Sequence, residues 1–378
     1  MKKLVLSLLF MFAVVVSSVV PYGDAASVKK SYKQEWEKEL GLGDRYHSNL
    51  LLQNKDQSYF VAGRQFHDDG DKGWYAKYSK SGKLVWEKKT NDSDYLFAFH
   101  RSSSEVELWS YNRDEINVVS IDKNGKEKKL AKLPQDFTYP DMEQVIKTKD
   151  GGYLVVLSMG DQHQYLRLTS KFKKKWSKVY KDKDYSTLNH AIETKDGSFL
   201  FTGYQNFKLL LLKIDKNGKR KLIYPSTNKT LAAIEEGKHI KQTSKGEYII
   251  ITETRGDRYA DRANHFVHLK KDFSLKKSYL STGINYLIYD VADSKDGGFL
   301  ITGGMGDFIY DSYFIKVTST GKKLYENKIV KSDPYYSSTQ SNVIETKDGG
   351  ALVANTVFPN QDAATYGYPR HLLLTKFK

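Results

Sequence analysis

Gln144, His190, His239, Asp290 and Asn342 stand about 46 to 52 residues apart, and Asn49 lies near the matching place in an earlier copy. Imidazole and carboxylate together suit a divalent ion such as Zn or Mn, so the set has the residue types of a metal or polar-ligand site. Its spacing, however, is that of a repeat and not of a metal motif. Hydrogen-bonding caps beside trapped water use the same residues, and that is the preferred reading. A second recurrence is Gly-Asp, at Gly70-Asp71, Gly160-Asp161, Gly256-Asp257 and Gly306-Asp307, with Arg258, Tyr259 and Tyr310 beside two of the copies. Such Asp residues suit calcium, yet Asp after Gly is also what a turn uses to bond its own backbone. No copy continues into a full calcium loop ending in Glu, so no cofactor is expected.

Catalytic signatures are missing from the sequence. It has no Gly-x-Ser-x-Gly, no His-Glu-x-x-His, no phosphate loop and no Cys. Carboxylates for glycan cleavage need no fixed spacing, because they can converge from distant segments. An extracellular glycan-active enzyme therefore stands as the alternative to a non-catalytic binding protein. Arg255-Gly256-Asp257 spells a cell-adhesion tripeptide, which chance supplies often enough in a chain of 378 residues to carry no weight.

What must position these residues is a phrase written five times. It reads Thr148-Lys149-Asp150-Gly151-Gly152-Tyr153, Thr194-Lys195-Asp196-Gly197-Ser198-Phe199, Ser294-Lys295-Asp296-Gly297-Gly298-Phe299, Thr346-Lys347-Asp348-Gly349-Gly350-Ala351 and, more loosely, Asn54-Lys55-Asp56-Gln57-Ser58-Tyr59. A polar turn between alternating apolar runs makes each copy a β unit, and a period near 50 predicts an all-β, seven-bladed β-propeller of four-stranded blades. The Asp-Gly and Asn-Gly pairs predict two-residue hairpin turns. Ser102-Ser103-Ser104 replaces the phrase in the second unit. The last unit ends after three strands, while Gln34-Glu35-Trp36-Glu37 matches a fourth strand with nothing before it. The N-terminal strand is therefore expected to complete the last blade and remove its open edge.

Innermost strands surround the axial channel, so the polar set, Asn49 included, predicts a ligand-binding ring at its mouth. The connections from strand two to three and from blade to blade share the opposite face from the short turns. They are expected to be long, Tyr111 to Glu115 and Met159 to Gln164 among them. Asp71, Asp161, Asp257, Arg258, Tyr259, Asp307 and Tyr310 are the candidate binding residues there.

Tyr78-Ser79-Lys80-Ser81-Gly82-Lys83-Leu84-Val85-Trp86 and Val317-Thr318-Ser319-Thr320-Gly321-Lys322 resemble the Asp-x-x-Thr-Gly-x-x-x-Trp corner of quinoprotein-type propeller repeats. The Asp-Gly-Gly hairpins resemble those of secreted bacterial propellers, many without assigned function. The resemblance implies the fold. It argues against quinone-dependent dehydrogenase activity, since those enzymes carry an adjacent Cys pair and this chain has none.

Lys2-Lys3, an apolar run from Leu4 to Val20 and small residues at Gly23-Asp24-Ala25 read as a signal peptide over residues 1–25. Residues 26–33 form a short linker, and 34–378 the single propeller domain. The expected location is secreted, extracellular or wall-associated. A net charge of +15, much of it Lys on outermost strands, suits an anionic wall polymer, a glycan or a surface protein, with peripheral membrane contact through the same charge. Nucleic acid fits poorly, because the charge rings the perimeter without a groove of interleaved aromatics. A monomer is expected. The reading favoured is a secreted, non-catalytic binding or scaffolding propeller.

Overall fold

The computed structural model describes residues 32–40, 45–66, 72–90, 95–112, 115–134, 140–224, 235–254, 262–281, 286–305, 311–329, 336–358 and 371–378. The expected signal peptide lies outside them. No helix among the described residues is long and apolar enough to cross a membrane.

Strand β1 (Gln34–Leu40) precedes β2 (Arg45–Gln53), β3 (Tyr59–Phe66), β4 (Lys72–Tyr78) and β5 (Leu84–Lys89), which form the first blade. The second holds β6 (Tyr95–His100), β7 (Val106–Asn112), β8 (Glu115–Ile121) and β9 (Glu127–Pro134). The third holds β10 (Asp141–Lys147), β11 (Tyr153–Met159), β12 (Gln162–Leu168) and β13 (Lys174–Lys181). The fourth holds β14 (Ser186–Glu193), β15 (Phe199–Gln205), β16 (Lys208–Ile214) and β17 (Arg220–Tyr224). The fifth holds β18 (Glu236–Gln242), β19 (Tyr248–Thr254), β20 (Ala263–Leu269) and β21 (Leu275–Leu280). The sixth holds β22 (Leu287–Asp293), β23 (Phe299–Met305), β24 (Asp311–Val317) and β25 (Lys323–Lys328). The last holds β26 (Tyr336–Glu345), β27 (Ala351–Phe358) and β28 (His371–Phe377), and β1 pairs antiparallel with β28 as its fourth strand. Contacts between successive inner strands run around the ring and return from β26 to β2, giving a seven-bladed β-propeller.

Each middle strand is buried on both faces, because a blade is covered by a neighbour on either side. Leu209–Leu212 of β16 is buried at four successive residues for that reason. Outer strands are half-buried to exposed along their length, and Lys83, Lys88, Lys128, Lys174, Lys221 and Lys277 stand exposed on them or their turns. At the seam, Leu352, Ala354, Leu372 and Leu374 of the last blade pack against Leu51, Tyr59, Val61 and Trp74 of the first, with Trp36 against the same cluster. Trp36 also donates its indole N–H to Lys80 O at 3.2 Å. Trp86 and Trp176 make the same bond to Lys123 and Lys216 of the blade after their own. All three indoles lie over a turn glycine, and a Cβ on Gly82 would come within 2.8 Å of Trp36.

The hairpin turns correct one expectation. Thr148 N donates to Gly152 O and Gly151 N to Thr148 O, so the loop holds three residues, a type I turn followed by one left-handed residue. One positive φ is needed per turn instead of two, and Gly151, Gly197, Gly297 and Gly349 supply it. Gln57, Phe172 and Phe273 occupy the same position with φ of 66°, 58° and 68°. The two Phe residues recover stability by stacking: Phe172 on Tyr153 at 5.3 Å, Phe273 on Tyr248 at 5.0 Å.

The Asp and Lys of the repeated phrase each hold something different. Asp150, Asp196, Asp296 and Asp348 accept the backbone N–H two residues on, and Asp56 accepts that of Ser58. Each also meets a cation from the third strand of its own blade, respectively Arg167, Lys213, Lys316, Lys376 and Lys77. Burial would raise the pKa of Asp348, but bonds from Thr346, Gly350 and Lys376 outweigh it and bring it down to about 2. The Lys reaches forward into the next blade. Lys149 N donates to Glu193 and its ammonium to Thr194 O, and Lys347 does the same to Gln53 and Asn54 O across the seam.

Deleting residues 34–40 should lower the melting temperature of the whole propeller in one cooperative transition, because β28 loses its edge partner and the seam loses Trp36. A truncated chain that melts like the full one would refute closure by β1. Gln57→Gly should raise stability by about 1 kcal/mol by relieving a left-handed residue, whereas Phe172→Gly should lower it by losing the stacked ring; urea midpoints of the two variants test the opposite signs.

Candidate functional site

Strand pairing sets the ring residues in register. Gln144, His190, His239, Asp290 and Asn342 lie opposite Val156, Thr202, Ile251, Thr302 and Ala354. In the first two blades the equivalent residues are Leu50 and Phe97, opposite Ala62 and Trp109. Asn49 is therefore not a ring member. It sits one residue earlier, where the pairing shifts between Ser48 and Leu50, and its side chain lies outside the described residues. The same one-residue bulge recurs at Leu96, Glu143, Asn189, Lys238 and Tyr289. Because each of these inner strands begins before its bulge, the ring residues lie within the strands, whereas the repeat pattern puts them at the strands' opening ends.

Four of the five polar ring residues, Gln144, His190, His239 and Asp290, are occupied with their neighbours. Gln144 Nε2 donates to Leu188 O at 3.2 Å and Asn189 O at 2.9 Å in the next blade. His190 Nδ1 accepts from Ile240 N at 3.3 Å, which places its proton on Nε2. Burial, and then the charge of His239, hold His190 well below the usual histidine range. The two imidazoles meet tilted by 31° with centroids 4.0 Å apart, and His239 Nε2 lies 3.0 Å from Asp293 Oδ1. Asp290 accepts from Val291 N through Oδ1 and from Val343 N of the next blade through Oδ2, both at 2.8 Å. Burial pushes its carboxyl up, against those two bonds. Among the described residues no three His, Asp or Glu side chains gather as a metal cluster. Asp290 and Asn342 share a cavity of about 250 Å³ with Leu50, Phe97, Val343 and Ile344.

Replacing both ring histidines by Ala would strip a partner from Ile240 N and empty a site where His239 is only 5% exposed. A cost of about 1–3 kcal/mol per unsatisfied buried group follows.

On the other face the expected long connections are uneven. Strands two and three are joined by only two residues in the second, third and fourth blades, so Tyr111 to Glu115 and Met159 to Gln164 belong to tight hairpins. The longer connections, 67–71, 255–262, 306–310 and 359–370, belong to the first, fifth, sixth and last blades. Asp71, Asp257, Arg258, Tyr259, Asp307 and Tyr310 lie outside the described residues. Asp161 is described: Gly160 has φ +61°, Asp161 O accepts from Asp182 N at 2.7 Å, and its carboxylate lies 3.3 Å from Lys181 Nζ. It is a turn residue with a cation partner.

Two groups escaped the sequence reading. His163, 1% exposed, lies 3.3 Å from Glu143 and 3.2 Å from Asp182, which also accepts from Ser186 and meets Arg220. Burial presses this imidazole toward neutrality, and Asp182 and Glu143 outweigh it, lifting its pKa to about 9. These residues come from four strands and one connection, and no spacing links them. The second group is Tyr185, Tyr204 and Phe207. Asn206 and Phe207 have φ of 49° and 57°, the pattern of a type I′ turn whose second place normally goes to Gly. Phe207 is 74% and Tyr185 60% exposed, and the rings of Tyr185 and Tyr204 lie 6.3 Å apart. Asn-Phe in a predicted hairpin turn is the signal that would have found it.

No family model matches the sequence, and no curated protein is similar to it. Solved structures are similar in fold. A catalytically inactive virginiamycin B lyase from Staphylococcus aureus, crystallised with quinupristin, aligns with TM-score 0.56 at 12% identity over 92% of this chain and 99% of that one. A protein of unknown function from Dyadobacter fermentans aligns with TM-score 0.52 at 11% identity over 92% and 99%. A protein from Lactobacillus plantarum aligns with TM-score 0.50 at 12% identity over 74% and 83%. These likenesses are of the propeller alone.

The histidines predict opposite pH limbs. His163, raised to about 9, contributes fully below an unfolded pKa of about 6.5 and loses its contribution as pH rises through about 9. His190, lowered, contributes above that unfolded pKa and loses its contribution as pH falls below it. Urea midpoints should therefore peak near neutral pH. His163→Gln should flatten the alkaline limb and His190→Gln the acid limb; an alkaline limb unchanged in His163→Gln would show that the buried cluster does not set it.

Proposed function

We propose that this chain is a secreted, non-catalytic binding propeller of the cell surface that holds an anionic wall glycan through the face bearing Tyr185, Tyr204 and Phe207. The observation that supports this reading is Phe207. A left-handed backbone costs a non-glycine residue roughly 1 kcal/mol or more, and a ring 74% exposed recovers little of that by burial. Folding gives no reason for it; an aromatic platform for a ligand does. The negative face of an aromatic ring meets the C–H face of a sugar, and Tyr hydroxyls at the rim meet its hydroxyls. Glu235 and Glu236 line the pocket beside Tyr204 and Phe207, so the rings would meet the neutral C–H face of a sugar, and the acidic groups of the polymer would fall to exposed Lys183 and Lys208 and the peripheral Lys residues.

A glycosidase needs two free carboxyl groups flanking one bond. Asp290, the carboxylate among the described ring residues, instead holds a main-chain N–H on each oxygen, which favours binding over hydrolysis. The indoles resting on turn glycines support reading the repeats as quinoprotein-type in descent, without the chemistry of those enzymes.

Phe207→Gly separates folding from binding, since it writes the Asn-Gly that the turn prefers. The variant should melt at the same temperature or higher, yet be retained on isolated anionic wall polysaccharide about tenfold less, and wild-type retention should weaken as salt rises. Equal retention of wild type and variant, or retention only on wall-surface proteins with none on polysaccharide, would overturn the reading.

A further inference from the structure

We infer that the channel cavity beside Asp290 and Asn342 is a site for a small primary ammonium carried on a short apolar chain. This inference rests on the ring geometry and is independent of the wall-glycan reading. One side of the cavity is apolar, lined by Leu50, Leu96 and Phe97 of the first two blades with Val343 and Ile344 of the last. Its polar side offers acceptors. Asp290 is half-buried and lines the cavity, and its two oxygens each use one lone pair on a main-chain N–H and keep another. Asn342 Oδ1 is buried and meets no donor.

A buried acceptor left unmatched is costly and calls for a donor. A hydroxyl would satisfy one acceptor. An ammonium, with three N–H donors and a positive charge, satisfies Asn342 and Asp290 together and supplies the counter-charge that Asp290 lacks among its hydrogen-bond partners. The Phe97 ring adds an aromatic surface to the cation's surroundings. The volume, about 250 Å³ or roughly that of eight waters, admits a chain of about six carbons.

The charge of the whole chain sharpens the test. At +15 the protein's mean field attracts anions, so a preference for a cation must come from the channel itself. Full-length mature protein would be titrated calorimetrically with n-hexylammonium, n-hexanol and n-hexanoate at physiological salt. Saturable one-to-one binding of hexylammonium, with hexanol and hexanoate at least about tenfold weaker, is expected. Asn342→Leu removes the unmatched acceptor and keeps the side-chain size. It should leave the melting temperature unchanged or higher and weaken hexylammonium about tenfold, the loss of one hydrogen bond to a charged group. Leu50→Trp, which fills the cavity from the far side, should abolish binding while leaving the acceptors in place. The inference fails if hexylammonium gives no saturable heat, if hexanol or hexanoate binds as well, or if Asn342→Leu binds hexylammonium like the wild type.

Discussion

A sheet that is apolar on both faces is stable only if something covers each face, and every blade of this chain is such a sheet. Leu154, Val155, Val156 and Leu157 of β11 are all buried, as are Leu209 to Leu212 of β16. Neither run has the alternation that would let one side meet water. A ring is the arrangement in which every blade has two neighbours. The ring must then be closed, and the chain closes it by giving the last blade a strand from its other end. Trp36 is worth a turn glycine, Gly82, that can carry no side chain beneath it.

Covering faces does not fix how one blade sits against the next. That task falls to the polar turns, where Asp holds its own hairpin and Lys reaches forward. The junctions from the third blade to the fourth, fourth to fifth, sixth to last and last to first use this pair of bonds. Where the phrase degenerates, other groups take over. Ser244 stands where a Lys would reach the sixth blade, and there His239 and Lys241 meet Asp293 instead. In the second blade buried Glu107 accepts from Trp109 and from Tyr153 of the third. A ligand-like residue in the channel is thus first a joint between blades, which is why His239 cannot be judged from its chemistry alone.

Against that economy the exceptions stand out. Phe207 is strained and exposed, and Asn342 holds a buried acceptor with no donor. Phe207 lies in the connection from the second to the third strand of the fourth blade and Asn342 on an inner strand beside the channel cavity, and neither contributes to the joints between blades. Groups that folding leaves unrewarded are where a ligand is most economically placed.

The blade count, the places of the Asp-Gly hairpins though not their loop length, and the closing strand could be read in the chain, because their causes act over a few residues: Gly at a left-handed turn position, an Asp bonding the N–H two residues on, apolar runs of strand length, and a lone Trp-bearing strand left over at one end. The polar ring was legible only in part. Its period came through, but the bulge in each inner strand slid Asn49 out of register, and nothing in the local pattern announces a bulge. The short hairpins of the second to fourth blades were hidden by polar residues that look like loop. The meeting of Glu143, His163, Asp182 and Arg220 was invisible for a different reason. Their distances in sequence depend on the lengths of the strands between them, and their distances in space on how one blade is rotated against the next; that rotation is set by packing across the whole ring.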